Sequence, residues 1–464
     1  MTNLRHTHGL GAAGSADRRR LSRRLARRHF MRLSAAGVAG VSMSGWFDAL
    51  AARAADHPDR RRSCILLWMT GGPSQLDTFD LKPDHANGGP IKPIKTSVTG
   101  VAISEHLPQL AKLMKHASII RSMNTIEGDH ARATYFLRTG YVPSGAVQYP
   151  TMGSFLSKEL GRERTLPNFV SIAPYRSLSP AAYGSGYLGS RYAPLTVGAS
   201  GNQGQPQDDV LRALKVKNLK RPEQVDLPQA GARLALLKDL EADFLAHRAD
   251  AGPVSHRTAY EQAVRMMRSE AMQVFDLDKE PAQLRDAYGR NLFGQGCLLA
   301  RRLVESGVPF VEVGLNGVPG AQSLGWDTHQ NNFETVKKLS AVLDPAWATL
   351  IKDLKDRGLL DSTLIVWMGE FGRTPKINQN TGRDHYPAAW SSVMCGGGIR
   401  GGQVVGRTSR DGMTIEERPV KVADLMMTIC AALGIDPAKQ NMSNVGRPIR
   451  LADPNGSPIK ELLG

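Results

Sequence analysis

Short apolar runs separated by longer amphipathic stretches constrain this chain most. Ser63–Met69 (SCILLWM) ends at Gly71-Gly72-Pro73, the pattern of a strand buried on both faces that feeds a tight turn. Further strand candidates are Ala117–Met123, Asn168–Ala173, Pro309–Leu315, Leu364–Met368 and Ser391–Cys395. Helical periodicity lies between them, over Leu107–Lys115, Ala131–Arg138, Gly153–Leu160, Leu284–Ser306, Asn331–Arg357 and Val422–Leu433. Strands alternating with helices predict an α/β fold with a mostly parallel central sheet and helices on both faces. Residues 175–208, rich in Gly, Ser, Tyr and Pro, read as a long surface loop, and Asp209 to Asp278 as a charged helical stretch. Together, about residues 175–280 form a loop-rich and helical insertion on the sheet.

Charge is unevenly placed. Residues 1–62 hold thirteen Arg, no Lys and four Asp, a net of +9 out of +16 for all 464 residues. A basic arm suits nucleic acid, but this one carries Arg27-Arg28-His29-Phe30-Met31-Arg32, which fits a twin-arginine export signal. A mildly apolar segment, Leu33–Phe47, follows, then small residues from Ala49 to Ala55 that offer cleavage sites. The segment falls short of the ~20 apolar residues of a membrane span. We therefore expect a signal peptide over 1–55, one domain over 56–464, periplasmic or secreted location, no integral span and no nucleic-acid partner. Cys64, Cys297, Cys395 and Cys430 have no metal-ligand spacing and read as small core residues.

Five loops at strand ends could carry chemistry. GGPSQLDTFD offers Ser74, Asp77 and Asp80; EGDHARATYFLRTG offers Glu127, Asp129 and His130; LGWDTHQNNF offers Asp327 and His329; GEFGRTP offers Glu370 and Arg373; GRDHYP offers Arg383, Asp384 and His385. Three histidines (His130, His329, His385) lie within two residues of an Asp in such loops. Ligands sited outside the carboxyl ends of parallel strands are the rule in open α/β sheets. Imidazole and carboxylate together suit a divalent metal, zinc first, with manganese, calcium or iron as alternatives and one or two ions. The three Asp/His pairs, Asp129 with His130, Asp327 with His329 and Asp384 with His385, are the candidate ligands, and Arg373 or Arg383 could pair with a phosphate or sulfate oxygen held there. Each loop alone reads as well as a capped turn beside a surface histidine. Gly396-Gly397-Gly398-Ile399-Arg400-Gly401 matches a dinucleotide fingerprint but leads into Gln403-Val404-Val405, a strand-like run, so that site is not expected. The absence of G-x-S-x-G removes support for a serine esterase elbow.

The leader, LLWMTGGPSQLDTFDLKP, GWDTH, GEFGRTP and GRDHYP with a following GGG resemble domain-of-unknown-function family 1501, exported bacterial proteins related to the alkaline phosphatase and sulfatase superfamily. That resemblance implies an alkaline phosphatase-like α/β sandwich with metal at the strand carboxyl ends. It also implies hydrolysis of a small-molecule or glycan phosphate or sulfate ester. Asp327 and His329, with His385, would correspond to ligands of one metal; with the resemblance included, the expected metal residues are Asp327, His329, His385, Asp384, Glu370, Asp129 and Asp77, and the expected catalytic residues are His130 and, as oxyanion clamp, Arg373. The chain departs from the superfamily at three points: Thr70-Gly71-Gly72 stands where the first strand ends in Asp, Glu370 where an Asp-His pair serves a second metal, and His130 at the nucleophile position. A second reading, from another class, is a non-catalytic periplasmic binding or assembly protein that keeps the fold.

Overall fold

The computed structural model describes residues 62–162, 165–198, 207–216, 224–247, 251–267 and 270–464. The proposed leader lies outside them. Among the described residues nine strands form the central sheet: β1 (Ser63–Met69), β2 (Ala117–Asn124), β3 (Phe169–Ile172), β4 (Leu195–Val197), β5 (Phe310–Leu315), β6 (Thr363–Met368), β7 (Trp390–Cys395), β8 (Val404–Val405) and β9 (Val420–Lys421). Their spatial order is β8-β2-β7-β6-β1-β5-β3-β4, with β9 also on β2. β1 lies parallel to both neighbours, pairing Cys64 with Phe310 and Leu364. β7 alone runs against the others, antiparallel to β2 and β6.

Continuous apolar runs are needed because both faces of the sheet are covered. Ile65, Leu67 and Met69 of β1 enter one core, with Leu298, Leu299 and Leu303 of one helix and Leu339, Leu343 and Trp347 of another. Cys64, Leu66 and Trp68 enter the opposite core, with Phe155, Leu156, Leu425, Met426 and Ile429. The longer helices among the described residues are α1 (His130–Thr139), α2 (Met152–Leu160), α3 (Gln207–Leu214), α4 (Leu227–His247), α5 (Ala251–Met267), α6 (Leu292–Glu305), α7 (Asn332–Asp356) and α8 (Val422–Ala432). Trp347 of α7 stacks on Trp367 of β6, with ring centroids 5.9 Å apart and planes at 8°. Each fully buried large apolar side chain contributes about 1.5–3 kcal/mol.

Every strand expected from the apolar runs is present within two residues of its expected bounds. The differences have local causes. The helix expected over Leu284–Ser306 is two helices, Ala282–Tyr288 and α6, because Gly289 adopts φ +87° and Asn291 then caps α6 by accepting Gly294 N–H at 2.8 Å. The helix expected over Leu107–Lys115 shrinks to Pro108–Ala111 and a short turn at Met114–His116. Its first turn is capped from α7: the Asp344 carboxylate accepts Gln109 and Leu110 N–H at 2.9 and 2.8 Å. The expected surface loop 175–208 contains an edge strand, β4, paired with β3. Among the described residues no helix is long and apolar enough to cross a membrane.

The glycines of the fingerprint-like run serve packing. Gly396, Gly397 and Gly398 all have positive φ, and a Cβ on Gly396 would lie 2.5 Å from the Leu360 and Thr363 carbonyl oxygens. They turn the chain tightly behind β6 and β7 and open no helix N-terminus toward a phosphate.

Candidate metal centre

Four loops meet at one edge of the sheet. Those after β1, β2, β5 and β6 reach it because these strands share one direction. The loop after β6 leads straight into β7 and can stay at this edge because β7 runs the other way. A parallel β7 would have put His385 at the opposite edge. Above the end of β1, Trp326 N–H donates to the Thr70 carbonyl at 2.8 Å, which seats Asp327 over the central strand. This approach requires Gly71: at φ +101°, a Cβ would lie 2.4 Å from Asp327 N.

Three imidazoles converge on Asp327. His130 Nε2, His329 Nε2 and His385 Nε2 lie 3.3, 3.1 and 3.3 Å from Asp327 Oδ1. His329 Nε2 and His385 Nε2 are 3.1 Å apart. Each Nδ1 is held from behind: His130 by Glu370 Oε1 at 2.7 Å, His329 by Asp384 Oδ1 at 2.8 Å and His385 by the Gly128 carbonyl at 2.8 Å. A carbonyl can only accept, so His385 carries a proton on Nδ1 and turns Nε2 to the centre. The Glu370 and Asp384 carboxylates accept from Nδ1 of the other two rings and orient them the same way. This is how metal-ligating histidines are oriented.

The donor set fits a divalent cation. Lone pairs of neutral imidazoles facing a carboxylate oxygen repel one another unless a proton or cation lies among them. For metal–ligand bonds of 2.0–2.1 Å, ligand atoms of a tetrahedral zinc site lie about 3.3 Å apart, and the separations from Asp327 Oδ1 are 3.1–3.3 Å. The ligand atoms of His130, Asp327 and His385 all lie within 4.8 Å of one another. Glu370 Oε2 is buried without a hydrogen-bond partner, and His130 Nε2 is buried against Asp327 Oδ1 at 3.3 Å. His329 is the outermost of the three, its side chain 45% exposed against 13% for His130.

Electrostatics separate the charged states. Burial opposes protonation of His130, but hydrogen bonds to Asp327 and Glu370 outweigh it and raise its pKa to about 9. Burial pushes the Asp327 carboxyl up, while hydrogen bonds from His130 and His385 and the Arg373 charge hold it well below the usual carboxylate range. His329 likewise lowers Asp384.

Several expected site residues are placed elsewhere. Arg373 is no open oxyanion clamp: it is fully buried, with Nε on the Gly72 carbonyl at 3.0 Å and Nη2 on the Gly71 carbonyl and, at 2.7 Å, Asp327 Oδ1. It is a strut that fixes Asp327. Asp77 is not at the metal group; its carboxylate accepts Arg383 Nε at 2.7 Å and Nη2 at 3.1 Å, and both residues are buried. Asp129 caps α1, accepting Arg132 N–H at 3.0 Å. Glu370 and Asp384 hold histidines, and His130, expected as a catalytic group, stands among the ligand atoms. Sequence reading missed Gln75, whose amide clamps Arg373 N and O at 3.0 and 2.9 Å. It also missed Asn378, which donates to Asp384 at 3.2 Å. A glutamine inside GGPSQLD was the one available signal.

The chain belongs to the family described as "Protein of unknown function (DUF1501)", which it matches over residues 61–463. No match was found among curated proteins. Similar solved structures include the lipoteichoic acid synthase LtaP from Listeria monocytogenes, at TM-score 0.39 and 11% identity, covering 86% of this chain and 77% of that one. A protein in the alkaline phosphatase superfamily from Vibrio parahaemolyticus gives TM-score 0.38 and 11% identity over 86% and 76%. The phosphonate monoester hydrolase SpPMH from Silicibacter pomeroyi gives 0.35 and 14% over 86% and 76%. Likeness at this level carries no argument about chemistry.

Proposed function

We propose that this protein is an exported, metal-dependent hydrolase of phosphate or sulfate esters with an alkaline phosphatase-like fold. In this reading 1–55 is a twin-arginine leader and 56–464 one domain with an insertion at about 175–280. The observation that carries the reading is the common orientation of three imidazoles, each held at Nδ1 and each presenting Nε2 to Asp327. His130, Asp327 and His385 hold one ion, zinc first by donor chemistry, leaving room for a further ligand as catalytic zinc sites do.

A bound divalent ion supplies Lewis acidity toward an ester oxygen and an incoming water. His329, the most exposed of the three imidazoles, would take the proton of an attacking water and return it to the departing alkoxide, with Asp384 Oδ1 stabilising the imidazolium through Nδ1. His130 is not the nucleophile. Its Nδ1 is bonded to Glu370 and its Nε2 faces Asp327. The covalent route that a Ser, Thr or Cys at the head of α1 would open is therefore closed, and water attacks directly.

The test is metal analysis of the purified mature protein together with turnover of 4-nitrophenyl phosphate and sulfate under zinc, manganese, iron or calcium. About one ion per chain and measurable cleavage are expected, with His329→Ala keeping the ion and losing turnover. Retained turnover in that variant would overturn the proton role. One observation favours the non-catalytic reading: Arg373 and Arg383 are both buried and bonded, so neither offers a free guanidinium to an anion. No cleavage by the metal-loaded wild type would select that reading.

A further inference from the structure

A cleft of about 640 Å³ opens beside the first turn of α1, lined by Ala131 and Arg132, the two residues that follow His130. Its volume falls within the ~300–1,000 Å³ of small-molecule sites. No acidic side chain is among its lining residues, and Arg132 is the one charged group there. Arg132 is steadied by Glu127, which accepts Nε at 2.8 Å and Nη2 at 2.6 Å, so Nη1 remains for a ligand and the net charge offered is small.

The rest of the lining combines flat rings with hydroxyl and amide groups. Tyr149 stacks on Tyr141 with centroids 4.5 Å apart and planes at 7°, which holds its ring as a rigid platform. The Tyr135 hydroxyl accepts Tyr149 N–H at 3.0 Å and keeps its own proton to donate. Ser144, Gln148 and Ser179 add uncharged donors and acceptors, and three glycines leave backbone accessible. Aromatic faces beside many neutral hydrogen-bonding groups, with one balanced cation and no carboxylate, match a saccharide: C–H faces to stack and hydroxyls to satisfy. A basic ligand finds no counter-charge there, and a long aliphatic one would leave those polar groups unpaired.

We propose that this cleft is a saccharide-binding site beside α1, the helix that begins at His130. The proposal goes beyond the hydrolase reading and stands or falls without it. It is tested by probing the full mature protein, first metal-loaded and then chelated, on an array of neutral, sulfated and phosphorylated oligosaccharides, with calorimetry on the strongest ligand. Binding is expected in both states, because the cleft contains none of the ion-holding residues. Tyr149→Ala and Arg132→Ala should each weaken it about tenfold with metal content unchanged. Ser144→Trp, a cleft-filling change at an exposed position, supplies the test if Tyr149→Ala fails to fold. Retention of no saccharide, unchanged affinity in the variants, or capture of peptides instead on a matched peptide array would overturn the proposal. Saccharide binding without ester cleavage would sink the hydrolase reading and leave the saccharide site standing; cleavage of aryl esters without saccharide binding would do the reverse.

Discussion

The strand-end edge and the helical pair α4–α5 are built on opposite terms. At the edge nearly every polar group is held by a named partner: Arg383 reaches Asp77 and the carbonyls of Thr374, Pro375 and Asn87, and Asn332 also donates to Asp77 at 2.8 Å. On α4 none of the residues with described side chains is buried, and Leu236 and Leu240 are 60% and 65% exposed. A site that must hold side chains to fractions of an ångström needs redundant support, whereas a helix on the periphery needs only to stay folded. Substitutions should therefore act very differently in the two regions.

The largest effect is expected at the cluster itself. His130→Ala and His385→Ala should each abolish stoichiometric metal binding, measured by elemental analysis after dialysis. With the ion goes its contribution to thermal stability, about 2.7 kcal/mol at a hundredfold excess over Kd. Wild-type metal content in both variants would dismantle the centre. Next comes Asp77→Ala, which strands the Arg383 guanidinium in a buried position. Breaking such a pair costs about 3–5 kcal/mol, read as a shift in the denaturation midpoint. A loss below about 1 kcal/mol would mean that water reaches the pair and that the edge is less rigid than its hydrogen bonds indicate.

What the sequence showed and what it hid follow the same division. SCILLWM, which ends at a Gly-Gly-Pro turn, and TLIVWM are continuous apolar runs of strand length, and both are strands covered on both faces. Leu195–Val197 has three strand residues inside a glycine- and tyrosine-rich stretch, too few to reveal a period, so β4 was illegible. That the Asp-His loops lie at one edge followed from strand direction. Which carboxylates face the centre did not, because Asp77, Asp129 and Asp327 look alike in sequence. One pairs with arginine, one caps a helix and one meets three histidines, and only the tertiary partners decide. Arg373 misled for a related reason: an arginine in a strand-end loop reads as an anion clamp, yet here Gly71 and Gly72 carbonyls surround it.

A finer test of the edge addresses the support behind a histidine. Asp384→Asn keeps the size of the side chain but removes the charge that holds His329 Nδ1, and the amide can turn its NH₂ toward the ring. If His329 is the proton carrier, turnover should fall about 10–100-fold while metal content holds, because the ion rests on His130, Asp327 and His385. Equal loss of metal and turnover would instead make His329 a ligand, as first expected from the GWDTH motif.

The smallest effect is expected on the peripheral helices. Leu240→Ala removes a side chain that is 65% exposed, so little transfer free energy and no cavity are at stake, and Leu236→Ala is equivalent. Changes at such positions usually stay within about 0.5 kcal/mol, and the two should add, since neither is buried. Thermal midpoints of the single and double variants provide the measurement, at several protein concentrations. A larger loss that grows with protein concentration would show that this face is covered by a second molecule in solution. The contrast between a rigid edge and a lightly held periphery would then belong to the isolated chain rather than to its working state.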